Sequence, residues 1–200
     1  MRVQTTHTNL YKYAELPGEV KATVLDNLRD INTGYELWHE GIDEDVTTAA
    51  ALMGIEIDKI LFTGFWNQGD GACFEGSYQY KKGSVKAIEE YAPKDEILQA
   101  IAKKLREVQL PYFYRLTANI KHRGYYYHEY CTDIDVDLGC TRYSDTFADT
   151  EKSIAEELRK LMRWIYTRLQ NDYEYLTSNE SVEETIENNE YEFDIDGRPH

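Results

Sequence analysis

Residues 55–80 read IEIDKILFTGFWNQGDGACFEGSYQY. The run 55–66 is rich in β-branched and aromatic residues, which suit a pleated, half-buried strand. Asn67-Gln68-Gly69-Asp70-Gly71 is a turn cluster whose two glycines can take φ > 0. Residues 72–80 then read as the return strand. Phe74, Tyr78 and Tyr80 fall on one face, and Cys73, Glu75, Ser77 and Gln79 on the other. The stretch predicts a hairpin with one apolar and one polar face. Such a sheet is antiparallel and can leave one face to water.

A second hairpin is expected downstream. In residues 112–122, Tyr112, Tyr114, Leu116, Ala118 and Ile120 alternate with Phe113, Arg115, Thr117, Asn119 and Lys121. Residues 126–138 alternate too, with Ile134, Val136 and Leu138 opposed to Asp133, Asp135 and Asp137. A three-residue loop at 123–125 keeps both alternations in phase. It sets Arg115 opposite Asp133, Asn119 opposite Glu129 and Ile120 opposite His128.

Helical periodicity fills the rest. Val20, Val24, Leu28 and Ile31 predict a helix over 17–31. Trp38, Ile42, Val46, Ala49, Ala50 and Met53 predict a second, stopped by Gly54. Further helices are expected at 84–91, through Ile97–Val108 and over 150–176, the last capped by Asp149 or Thr150. A short helix, 181–189, precedes an extended piece, Tyr191–Asp194, which matches Tyr11–Tyr13 in pattern and could pair with it. The expected fold is α+β: an antiparallel sheet of about four strands, built as two hairpins, with helices packed on one face. Residues 1–200 form a single domain in this reading. Residues 178–200 form an acidic C-terminal extension, packed as a short helix plus a strand.

The chain has 37 Asp and Glu against 22 Lys and Arg, a net charge of −15. That argues against nonspecific duplex binding, which needs cations for the phosphates. It permits solubility by self-repulsion, or mimicry of a polyanion. The charge is uneven. Residues 171–200 carry ten carboxylates against one arginine, while Lys81–Tyr125 carries ten Lys/Arg against five carboxylates. Cys73, Cys131 and Cys140 form no CxxC and read as reduced thiols. The start lacks a signal-like apolar run, and no stretch approaches the roughly 20 apolar residues of a membrane helix, so a soluble cytoplasmic protein is expected.

Three candidate sites follow. Trp66, Gln68, Asp70, Arg115, Lys121, His122 and Arg123 combine polar, cationic and aromatic groups suited to a small ligand. Glu183, Glu184, Glu187, Glu190 and Glu192 could meet a basic partner. Glu75, Asp133 and Asp135 offer oxygens to a divalent cation, although the expected register turns His122 and His128 to the apolar face. The turn at 67–71 joins two strands and lacks the GxxxxGKS/T and GxGxxG patterns, so it is no phosphate loop. No Ser-His-Asp, Cys-His or HExxH arrangement occurs. No catalytic residue and no cofactor are expected.

The chain resembles a family of small acidic proteins encoded by bacteriophages and prophages. The resemblance rests on Tyr11–Leu16, Gly54–Ile57, the block FTGFWNQGDGACFEG at Phe62–Gly76, Tyr91–Pro93, Tyr112–Gly124 with Tyr126–His128, and Asn189–Arg198. Some members carry an antitoxin label, from toxin–antitoxin stability systems. The resemblance implies a phage or mobile-element origin and a bacterial cytoplasmic setting. Three functions compete. The first is an interaction protein that neutralises a bacterial defence, toxin or nuclease component by direct binding, including as an acidic nucleic-acid mimic. The second is a sponge-like protein that binds a nucleotide or other small ligand. The third is a divalent-metal-dependent hydrolase. A homo-oligomer is compatible with the sequence.

Overall fold

A computed structural model describes residues 1–2, 9–35, 37–139 and 145–200. The elements run β1 (Tyr11–Lys12), α1 (Gly18–Asn27), α2 (Glu40–Met53), β2 (Ile55–Phe62), β3 (Ala72–Gln79), α3 (Ser84–Tyr91), α4 (Glu96–Gln109), β4 (Thr117–His122), β5 (Thr132–Asp137), α5 (Asp145–Leu176), α6 (Asn179–Asn188) and β6 (Glu192–Phe193). The fold is α+β. Strands β2-β3-β4-β5 form an antiparallel sheet in sequence order, and β1 pairs with β6 in a second, two-stranded sheet. Among the described residues no helix is long and apolar enough to cross a membrane. The chain clusters into two compact units, Glu40–Gln170 and a smaller one made of Met1–His39 with Asn171–His200.

The larger unit is built on β3. Phe74 and Tyr78 are buried on one face, where Ile55 stands opposite Tyr78, and Ala118 and Ile120 continue the row into β4. Helices pack alongside. The stripe Leu98, Ile101, Ala102 and Leu105 of α4 is buried, as are Ile154, Leu158, Leu161 and Ile165 of α5. Each fully buried Leu or Ile contributes roughly 1.5–3 kcal/mol relative to exposure. Asp95 caps α4 by accepting from the Leu98 amide at 3.0 Å, and its other oxygen accepts from Trp164 Nε1 at 2.7 Å. One side chain thus starts α4 and ties it to α5. On the opposite face Glu56, Ser77, Asn119 and Asp135 stand in one cross-strand row, all exposed, while Cys73 at the turn end of β3 is buried.

In the smaller unit Tyr13, Leu16, Val24, Leu25, Val182, Ile186 and Phe193 form a core. Tyr11 pairs with Phe193 and Lys12 with Glu192, so the two ends of the chain share one ladder. Residues 178–200 are packed structure here. Ser178 caps α6, and a Cβ added to Gly197 would sit 2.8 Å from Val24.

The structure corrects the second hairpin. Lys121 stands opposite Asp133, Asn119 opposite Asp135 and Ala118 opposite Val136. Arg115 therefore does not face Asp133, Asn119 does not face Glu129, and Ile120 faces Ile134 in place of His128. The tight loop is replaced by residues 123–131, closed by the Arg123 amide donating to Cys131 O at 2.7 Å and ending in a 3-10 turn, Glu129–Cys131, in which the Cys131 amide donates to His128 O at 2.8 Å. Burying Glu129 with its partners is what draws those residues out of the ladder.

The other corrections concern element ends. Strand β4 begins at Thr117 because Leu110–Tyr112 is a 3-10 turn and Phe113 and Tyr114 both take positive φ, 53° and 61°. That conformation costs about 1–2 kcal/mol per residue. Gln109 offsets it. Fully buried, Gln109 accepts from the Leu116 amide at 3.1 Å and donates to Leu116 O at 2.8 Å and Tyr78 Oη at 3.3 Å. Strand β2 stops at Phe62, with an irregularity between Ile57 and Lys59. Helix α1 stops at Asn27, α2 starts after Trp38 at Glu40, and Asp149 and Thr150 lie inside α5, whose stripe extends back through buried Phe147. Cys140 lies outside the described residues.

Gly54 joins α2 to β2 at φ 82°, and a Cβ there would lie 2.0 Å from Gln79 O. Gly54→Ala should lower stability by about 2 kcal/mol or more. Urea unfolding followed by circular dichroism checks this; an unchanged midpoint would refute it.

Candidate functional site

Two loops meet at the turn end of the β2–β3 hairpin. The first, residues 63–71, is closed by the Thr63 amide donating to Gly71 O at 3.1 Å. Asp70 organises its interior. Its Oδ2 accepts from the Trp66 amide at 3.0 Å and the Asn67 amide at 2.7 Å. Phe65 is the anchor, buried against Phe62 and Tyr166, and the Tyr166 hydroxyl donates to Gly64 O at 3.2 Å. With Phe65 inside, the adjacent Trp66 is left 66 % exposed.

The second loop, residues 123–131, packs against the first. A Cβ added to Gly69 would lie 3.3 Å from the Tyr126 ring, and one on Gly71 would lie 3.0 Å from His128 Cδ2. Glycine is needed at both positions for this approach. Glu129 is buried, and its carboxylate meets Arg163 at 3.2 Å and His128 Nδ1 at 3.0 Å. Arg163 also reaches Glu156 at 2.6 Å. Burial works against the Arg163 charge, but the bonds to Glu156 and Glu129 outweigh it, so the guanidinium titrates above its ordinary range. Thr132 Oγ1 donates to Glu129 O at 2.7 Å, and His122 Nε2 lies 3.1 Å from Tyr126 O. This scaffolding leaves the aromatic rings outside. Tyr125 is 87 % exposed, Tyr126 55 % and Tyr130 64 %. Tyr130 stacks on His128 and receives Arg159 over its face at 5.3 Å.

The structure brings Trp66, Gln68 and Asp70 to the first loop, and Lys121, His122 and Arg123 to the end of β4 that feeds the second. Asp70 serves the loop backbone. Arg123 pairs with Asp133 at 3.4 Å. Arg115 is separate, since it precedes the other end of β4.

The carboxylate triad is not assembled. Glu75 Oε1 accepts from the His122 amide at 3.2 Å, Asp133 holds Arg123, and Asp135 faces Asn119. Among the described residues no group of three or more His, Cys, Asp or Glu could hold a metal ion.

The acidic set lies on or just after α6. Glu183 and Glu187 both raise the Tyr13 pKa, after burial as the larger cause. Glu184 and Glu190 are exposed, and Glu192 pairs with Lys12 at 3.3 Å.

Residues missed by the sequence reading are Tyr126, Tyr130 and Glu129. The run Tyr125-Tyr126-Tyr127-His128 after a glycine was a visible signal, obscured by its assignment to a strand. Cys73 offers no nucleophile: burial first, then Cys131, pushes its thiol up to about 12. The two loops thus present exposed aromatic rings on hydrogen-bonded backbones. Asp70→Ala removes both loop bonds and should cost about 1–2 kcal/mol, with a faster-rotating Trp66 in fluorescence anisotropy. Unchanged anisotropy and melting would contradict this role.

A family model described as Domain of unknown function (DUF8835) matches residues 38–179, which include both loops. No curated protein matches the chain, and no solved structure does. The chain therefore belongs to the family described as Domain of unknown function (DUF8835).

Proposed function

We propose that the chain is an interaction protein of phage or mobile-element origin, working in the bacterial cytoplasm, that neutralises a host defence, toxin or nuclease component by direct binding. The observation that carries this reading is the aromatic surface. Trp66, Tyr125, Tyr126 and Tyr130 are each more than half exposed on two adjoining loops whose backbones are held from beneath. Trp, Tyr and Arg dominate binding energy at protein interfaces, and rigid presentation reduces the ordering cost. Single exposed rings are ordinary, but four of them on adjoining loops make a patch of the kind that marks an interaction site.

The smaller unit supports a complementary role. It carries fifteen Asp and Glu against five Lys and Arg. A field of that sign speeds encounter with a basic partner. The same field favours the acidic-mimic form of the reading.

Affinity capture from host lysate tests the proposal, with the native chain beside Trp66→Ala/Tyr126→Ala and Glu183→Lys/Glu184→Lys/Glu187→Lys variants. All five positions are at least partly exposed, so the fold should hold. The native chain should enrich a defence, toxin or nuclease protein. The aromatic variant should lose it by about 30-fold, the equivalent of roughly 2 kcal/mol. Capture that survives the aromatic change but fails in the charge variant would place the contact on the acidic unit. No enrichment by the native chain would sink the proposal.

A further inference from the structure

The second cationic and aromatic constellation lies in the larger unit, away from the hairpin turn. Gln109 ends α4 and clamps Leu116 through two hydrogen bonds, which fixes the Phe113–Tyr114 kink. The kink turns Tyr114 onto Tyr80, just past β3, with ring centroids 4.4 Å apart and planes 25° from parallel. Beside this pair opens a cleft of about 620 Å³, lined by Tyr80, Lys82, Gly83, Arg106 and Tyr114. That volume lies within the roughly 300–1,000 Å³ typical of small-molecule sites.

The cleft is cationic in a chain of net charge −15. Its lining holds two cations and no carboxylate. On α3 and α4, Glu89 pairs with Lys103, Glu90 with Lys86 and Glu107 with Lys104. Among the described residues neither Lys82 nor Arg106 takes part in an ion pair, and both are exposed. A Cβ on Gly83 would meet nothing within 4 Å, so the backbone there is open to a ligand.

We propose that this cleft binds a nucleotide, its phosphates held by Lys82 and Arg106 and its base stacked on the Tyr80–Tyr114 pair. Two cations supply charge for a phosphate chain, and arginine's planar fork matches phosphate oxygens. Each ring of the stacked pair spends one face on its neighbour, and an outer face bordering the cleft is the flat π surface offered to a base. Simple anions would use the charge alone. The pairing of charge with a fixed aromatic surface is what selects a nucleotide.

Titration calorimetry with ATP, adenosine and tripolyphosphate tests this on the full chain. Native protein should bind ATP at least tenfold tighter than either fragment. Lys82→Glu/Arg106→Glu should weaken ATP at least tenfold, with the melting temperature of the free protein unchanged. Tyr114→Asn keeps a residue that tolerates left-handed backbone. It should weaken ATP but leave tripolyphosphate unaffected. The proposal is overturned if native protein does not bind ATP, if tripolyphosphate binds as tightly as ATP, or if the double charge reversal leaves ATP binding intact.

Discussion

The carboxylate of Glu129 is almost sealed from water, and the placement of the aromatic surface depends on it. A buried charge is tolerated only with close partners. Arg163 of α5 and His128 supply them, and the Glu129 carbonyl is used as well, by Thr132. Satisfying this one group has three consequences. It pulls residues 129–131 into a 3-10 turn, it lengthens the β4–β5 connection to nine residues, and it seats His128 and Tyr126 against Gly71 and Gly69. The exposed tyrosines are then displayed from a loop with little freedom to collapse.

Much of the fold could be read from the residues, for definite reasons. The apolar stripe of α5 runs through so many turns that its identity was plain, yet its start was not: Asp149 had the chemistry of a cap, while Phe147 already belonged to the core. The β4–β5 pairing shows the limit more sharply. Asp133 stands opposite Lys121 and not Arg115, six residues from the expected partner. Six is even, so the side chains that stay in the ladder keep their faces although their partners change. Gln109 was invisible, because a glutamine on an apolar stripe reads as a polar interruption. Its partners are backbone groups of Leu116, which no sequence pattern records.

The candidate site was legible in its first half. The turn cluster at 67–71 drew attention to Trp66, Gln68 and Asp70; Trp66 and Gln68 are exposed on the first loop, and Asp70 holds its backbone. Its second half depended on a long-range contact between two loops. The charge pattern resolves in a similar way. The acidic run 171–200 falls in the smaller unit and the basic segment 81–125 in the larger, so the two are parts of different compact bodies. Acidity in the one and a cationic cleft in the other are separate properties with separate tests.

The central claim is that exposed aromatic rings stand on loops that are held rigid. Amide hydrogen exchange resolved by residue measures this directly. The amides of Trp66, Asn67, Asp70, Arg123 and Cys131 each donate within the loops. They should exchange well below random-coil rates, although most of their side chains face water. Exchange at random-coil rates across 64–71 and 123–131 would contradict the account, because the rings would then belong to mobile loops and not to a prepared surface.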